Sequence, residues 1–282
     1  MSGGHNALRR RLLGDPSVRT GVAMLSLALL TAAGAGWLFG EDPFAMVGRP
    51  FLWPGTDPRH PLGTDMFGRD ILTGLAHGAR VSLLVGLTAA GLSIGLGVAI
   101  GVTAGYFGGL VDHALMRLTE MFQTMPPLIL VVALVAVLQP SIGSIVLAIG
   151  LTSWTQSARL VRAETLRVRD SEFVQAARVM GMGHGHIILA HVLHNVLTPV
   201  IVTGSILVGT AILTEVALSF LGLGDPNVMS WGSMIGAGRQ VLRTAWYMTA
   251  LPGLAIVLTV VAFTAIGNGL GHVLNPRGEA PR

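Results

Sequence analysis

Glu172-Phe-Val-Gln-Ala-Ala-Arg-Val-Met-Gly181 lies in the longest polar interruption between two apolar runs, and its reading decides what kind of molecule this is. Gln175-Ala176-Ala177 predicts a helix with a small-residue face, and Gly181 supplies a point where the backbone turns before more helix follows. A short helix of that kind, held between long apolar runs, predicts a membrane protein that presents a docking element outside the membrane.

Outward from this stretch the composition agrees. Of 282 residues, 51% are apolar and 11% charged, whereas ordinary soluble domains carry roughly 25% charged residues. That length holds several spans and leaves little room for a soluble domain beside them. All 18 basic residues are arginine. A phosphate-cradling G-x-x-x-x-G-K-[ST] loop needs its lysine to reach the β and γ phosphates, so this chain does not hydrolyse ATP by that route. The absence of cysteine excludes disulfides, thiolate metal sites and thiol catalysis together. The arginines are scattered between apolar runs with no aromatic-interleaved basic stripe, which argues against nucleic acid as a partner.

An all-α chain with six transmembrane helices is expected. Residues 1–20 form an N-terminal segment carrying Arg9, Arg10, Arg11 and Arg19, and 21–40 is a first anchor helix of about the ~20 residues that cross a bilayer. A cleaved signal peptide is the competing reading of that run, on the small residues from Ala32 to Gly36; the spans that follow favour the anchor. Residues 41–79 are rich in proline and glycine and read as an extramembrane segment of turns.

The core of the protein spans 80–275. Val81 to Gly105 is an uncharged second span, in which Gly91, Gly95, Gly97, Gly101 and Gly105 repeat the four-residue spacing that lets membrane helices approach closely. Asp112, His113, Arg117 and Glu120 predict a short polar bend, and Met121 to Leu138 a third span with Pro126 and Pro127 near its start. A fourth span covers Ile142 to about Ala158, a charged helical loop about 159–194, a fifth span about Asn195 to Phe220, and a sixth Tyr247 to Leu270. The tail, 276–282, is polar. With six spans, twelve arginines fall on the side of the termini and the charged loop against six on the other, which makes the former the cytoplasmic side.

Gln175-Ala-Ala-Arg-Val-Met-Gly181, placed in a loop before the last two spans, resembles the EAA loop of importer permeases of the ATP-binding cassette class. His60-Pro-Leu-Gly-Thr-Asp-Met-Phe-Gly-Arg-Asp70, Gly78-Ala-Arg-Val-Ser-Leu83, and Leu218-Ser-Phe-Leu-Gly-Leu-Gly224 with Ser230-Trp-Gly232 are similar to the dipeptide, oligopeptide and nickel permease subfamily, and to its C-type subunit. The resemblance covers nearly the whole chain from the first span onward. It implies a multi-pass permease of the bacterial inner membrane, both termini cytoplasmic, in the fold of type I importers. Its partners would be membrane lipid, a homologous B-type permease subunit, two ATP-binding cassette subunits that hold ATP and Mg, and an extracytoplasmic solute-binding protein. No cofactor would bind this chain and no reaction would be catalysed by it. The coupling loop would dock on an ATPase through Glu172, Gln175, Ala176, Ala177, Gly181 and His184. Peptides are the implied cargo, with nickel, glutathione-like and other small solutes as alternatives. Two departures stand out: Gln175 replaces the usual opening glutamate, and His191-Val-Leu-His-Asn195 lacks a common proline, so that the loop is expected to run on as helix into the fifth span.

Other classes fit less well. An intramembrane hydrolase needs a base at the depth of Ser82, Ser93 or Ser205, and no histidine recurs there. A solitary secondary transporter or channel has the same hydropathy and would suit helices broken at Pro126 and Pro252. Among single residues, Glu215 is an ionisable group within the fifth span, readable as part of the translocation path or as a structural hydrogen-bonding group. His184, His186, His191 and His194 suggest a metal site, but no carboxylate stands among them and a solvated polar loop is the stronger reading. Asp65, Arg69 and Asp70 are readable as contacts to the binding protein or the partner permease, or as groups that pair with each other and cap a short helix, Thr64 and Asp65 being N-cap types; the structural use is the stronger reading.

Overall fold

A computed structural model describes residues 14–40 and 42–274. Arg9, Arg10, Arg11, Arg277, Arg282 and the expected polar tail lie outside these residues.

The described chain is helical. Helix α1 spans Pro16–Leu38, with Asp15 accepting the Ser17 N–H at 2.8 Å as its cap. Helix α2 runs Ile71–Phe107 and begins ten residues before the expected Val81. Its early start has a local cause: Asp70, in extended conformation, accepts the Thr73 N–H at 2.8 Å and caps a helix that the apolar count alone would open later. Helices α3, Gly109–Thr124, and α4, Pro127–Leu138, follow. Then come α5, Ile142–Arg169; α6, Glu172–Val179; α7, His184–Phe220; α8, Trp231–Gly238; and α9, Tyr247–Leu274.

Four of these, α1, α2, α7 and α9, are long and apolar enough to cross a membrane, and α3 with α4 make a fifth candidate bent by 86°. Two expectations change here. The polar residues from Asp112 to Glu120 form helix α3 rather than a bend, and the single third span is broken in two. The break follows from Pro126-Pro127: the ring of each proline excludes helical backbone at the residue before it, so Met125 is extended (φ −87°, ψ 134°), and Pro127 starts α4 at the position where a missing N–H costs least. The expected fourth span lies within α5, which is helical throughout but too polar to count by composition. Its polar residues explain this: Thr152, Thr155, Ser157 and Thr165 are buried in helix packing, not turned to lipid.

The α2–α5 contact is the most extensive in the bundle. A Cβ at Gly97 would lie 2.3 Å from Ser157 Cβ, at Gly101 2.5 Å from the Ala158 carbonyl oxygen, and at Gly105 2.7 Å from Thr165 Cβ. Three glycines at four-residue spacing thus let the two backbones touch, whereas Gly91 and Gly95 face open space. Against this pair, α7 packs through Ile212 and Val208 on Gly86, and α1 lies along α9, with Gly21 against Ala262.

At one end of the bundle residues 42–70 form a compact cap. Asp65 accepts the N–H groups of Phe67 and Arg69 at 2.8 and 2.9 Å, His60 Nδ1 lies 3.1 Å from Asp70, and Tyr247 donates to the Thr64 carbonyl at 3.1 Å. Gly63 and Gly68 take φ of +79° and press against the Leu52 and Gly48 carbonyls, positions a side chain would clash with. The helix cap here is Asp70; Asp65 holds a turn, and the Arg69 guanidinium sits 5.1 and 4.7 Å from the rings of Phe44 and Phe67.

Candidate functional site

At the opposite end, α5 carries the charged residues out of the bundle. Arg162 donates through Nε and Nη2 to both carboxylate oxygens of Asp112 at 2.5 Å, Arg159 donates to Gln123 at 3.1 Å, and Arg169 donates to the Gly105 carbonyl at 3.2 Å. The end of α5 is thereby stapled to α2 and α3. Arg169 also donates to Asp170 at 2.9 Å, which holds that carboxyl below its ordinary range.

Ser171 then breaks the helix in extended backbone, and α6 begins with Glu172 in its first turn, where a carboxylate suits the positive end of the helix. The Gln175 side chain donates back to the Asp170 carbonyl at 3.1 Å. After Val179 the chain closes in a Schellman turn: the Gly181 N–H bonds the Arg178 carbonyl at 2.9 Å and the Met182 N–H bonds Ala177 at 3.1 Å, with Gly181 at φ +77°.

The small residues of α6 are divided between two faces. Val174 and Ala177 are 0% and 1% exposed and pack with Val161, Val168, Ile187 and Val192. Glu172, Gln175, Ala176 and Gly181 point outward, beside Val179 and Met180, which are 89% and 67% exposed. Ala177, read from sequence as part of the small docking face, is therefore, with Val174, a residue by which α6 sits on its own bundle. Of the loop histidines, His184 is exposed but turns one ring edge to the bundle, its Nδ1 3.0 Å from the hydroxyl of buried Tyr106, while the Arg178 guanidinium lies 5.0 Å from the Tyr106 ring centroid. The His191 ring approaches those of Phe173 and His186 at 6.1 Å. Among the described residues no three His, Asp or Glu side chains converge as metal ligands.

The passage into α7 is continuous, as the missing proline suggested, but its winding is not uniform: His184–His186 is α, Ile187–Val192 is π, and α resumes at Leu193. Asn195 donates from its side chain to the His191 carbonyl at 2.7 Å where the winding changes.

Glu215 lies far from this loop, towards the cap. It is 2% exposed, and its Oε1 accepts the hydroxyls of Ser219 at 2.8 Å and Ser230 at 2.7 Å. Ser82 on α2 accepts the Trp231 N–H at 3.2 Å, and Trp231 Nε1 donates to the Leu75 carbonyl at 2.9 Å. Tyr106, Ser82, Ser219 and Ser230 were not singled out as partners from sequence, because their partners stand 15 to 149 residues away or across a helix turn. The traces of the serines were the motifs Gly78–Leu83, Leu218–Gly224 and Ser230–Gly232, which hold Ser82, Ser219 and Ser230 without showing that they meet.

A multi-helix membrane bundle with a short amphipathic helix folded against its charged end is the class that this geometry defines. Residues 97–279 match the model of the binding-protein-dependent transport system inner membrane component family, and the chain belongs to that family. A putative peptide transport system permease protein of Brucella abortus is 39% identical over 95% of this chain and 90% of its own length. The oligopeptide transport system permease protein of Escherichia coli is 37% identical over 95% and 90%, and a dipeptide transport system permease protein of Alkalihalophilus pseudofirmus is 40% identical over 79% and 74%. In fold the chain is similar to a crystal structure of an amino acid ABC transporter with histidines, at a TM-score of 0.51 and 13% identity, covering 66% of this chain and 87% of that one.

Proposed function

We propose that this chain is one of two permease subunits of an ATP-driven importer that carries peptides across the inner membrane. The observation that carries the reading is the division of α6: a buried face fixes it to the bundle, and an exposed face of Glu172, Gln175, Ala176, Val179 and Met180 ends at a fixed Gly181 turn. A mixed face of this kind, with Glu172 and Gln175 beside Ala176, Val179 and Met180, held at the charged end of a bundle is suited to an ATPase groove. Closure of two ATPase subunits, which hold the ATP and Mg, moves α6 and with it the ends of α2 and α5, since ligands shift an equilibrium only through contacts that differ between its states. The loop and both termini are then cytoplasmic, and the 42–70 cap faces the extracytoplasmic binding protein. The peptide relatives support the cargo.

Reconstitution in liposomes with the second permease, the ATPases and the binding protein tests this. Binding-protein-dependent uptake of radiolabelled dialanine that needs ATP is expected; transport by this chain alone would overturn the reading in favour of a solitary transporter.

A further inference from the structure

We infer that Glu215 is a positioning residue that clamps α8 onto α7 and α2, so that the cap-side ends of these helices move as one body during transport. Three observations meet here. One carboxyl oxygen gathers hydroxyls from two helices: Ser219 lies on α7 itself, and Ser230 is the N-cap of α8. Second, the backbones interlock around it, since a Cβ at Gly232 would come 2.9 Å from Val216 Cα and 3.0 Å from Glu215 Oε1, and one at Gly236 would come 3.0 Å from the Ser219 carbonyl. On the other side Gly78 of α2 lies against the Trp231 N–H that Ser82 accepts. Third, the carboxyl has no open surface before it. It is 2% exposed, its Oε2 has no hydrogen-bond partner, and the neighbouring cavity of about 200 Å³, bordered by Ser219, Ser233 and Arg239, is not lined by Glu215.

These contacts use Glu215 as a hydrogen-bond acceptor, and no cation pairs with it among the described residues. The oxygen of a glutamine amide can therefore accept the same two hydroxyls. Helix α8 belongs to the connection from α7 to α9, and Tyr247 at the start of α9 bonds the cap. A displacement imposed on the cap is passed through α8 to α7 only while the clamp holds; without it the connection absorbs the movement. Hydrogen bonds of 2.7–2.8 Å lose their strength within about an ångström of displacement, so the joint is either closed or useless.

The inference rests on the transport reading, and its test keeps the two apart. In the complete reconstituted complex, Glu215→Gln is expected to keep dialanine uptake and binding-protein stimulation of ATP hydrolysis within about twofold of wild type. Glu215→Ala, which leaves two buried hydroxyls without an acceptor, is expected to lower both by about tenfold at unchanged assembly. The chain has no cysteine, so Ser219→Cys with Ser230→Cys, added to Glu215→Ala, introduces a single pair of thiols into it. Joining them by oxidation or a short bifunctional reagent is expected to restore most of the uptake, and reduction to remove it again. Restoration supports the clamp, because a covalent link supplies position and no carboxyl. The clamp is overturned if Glu215→Gln is as inactive as Glu215→Ala in assembled complexes, or if the link forms and uptake does not return. A wild-type complex that ignores its binding protein overturns the transport reading itself, a result separate from any loss confined to the variants.

Discussion

The hydroxyl of Tyr106, at the end of α2, lies 3.0 Å from Nδ1 of His184, at the start of α7. It is a directed contact at the edge of the apolar seat where Val174 and Ala177 of α6 meet the bundle. Apolar packing resists separation but tolerates sliding, whereas a hydrogen bond fixes a direction. Tyr106→Phe removes the oxygen alone, at a local cost of about 1 kcal/mol. Uptake per ATP hydrolysed is expected to fall several-fold while ATPase binding and insertion persist, measured as the ratio of dialanine import to phosphate release. An unchanged ratio would show that packing alone carries the movement.

Gly181 closes α6 at φ +77°. Leucine there is disfavoured by about 1 kcal/mol and opens the turn that aims Val179 and Met180. Gly181→Leu is expected to insert normally and to abolish ATP-coupled uptake, as read by uptake normalised to membrane-inserted protein.

Ala176 and Ala177 are neighbours with opposite fates. Ala177→Asp buries an unpaired carboxylate at a site 1% exposed, a change in the range of several kcal/mol, and α6 is expected to detach and become a protease target. Ala176→Asp leaves α6 seated and protease-resistant while weakening co-purification of the ATPase. Equal protease sensitivity of the two variants would contradict the division of faces.

Gly101 touches the Ala158 carbonyl, and a side chain there must push α5 away. Gly101→Val is expected to destabilise the bundle by a few kcal/mol, seen as a lowered unfolding temperature in detergent. Gly95→Val, facing open space, is expected to leave that temperature nearly unchanged.

The long apolar runs made α1, α2, α7 and α9 legible in the sequence, because length and apolarity are the properties a bilayer demands. Glycine spacing foretold a close contact on α2 but neither its partner, α5, nor which glycines serve it: Gly97, Gly101 and Gly105 do, and Gly91 and Gly95 do not, since spacing is blind to which side a partner occupies. The break at Pro126-Pro127 was visible as chemistry, yet its 86° angle depends on where α4 finds α5. Gln175 to Gly181 announced a short helix and a turn. That Ala177 faces inward could not be read, because a small residue suits its own bundle as well as a foreign groove. The Glu215 cluster was the least visible, built from serines that no periodicity marks.

The π winding of Ile187–Val192 gives α7 one spare residue between loop and span. If those turns tighten to α geometry, everything on the loop side rotates by about 100° about the helix axis and shifts by about 1.5 Å, with the span beyond Leu193 unmoved. The π segment thus sets the register between the two parts of the helix, and so where the loop that carries α6 stands relative to the span.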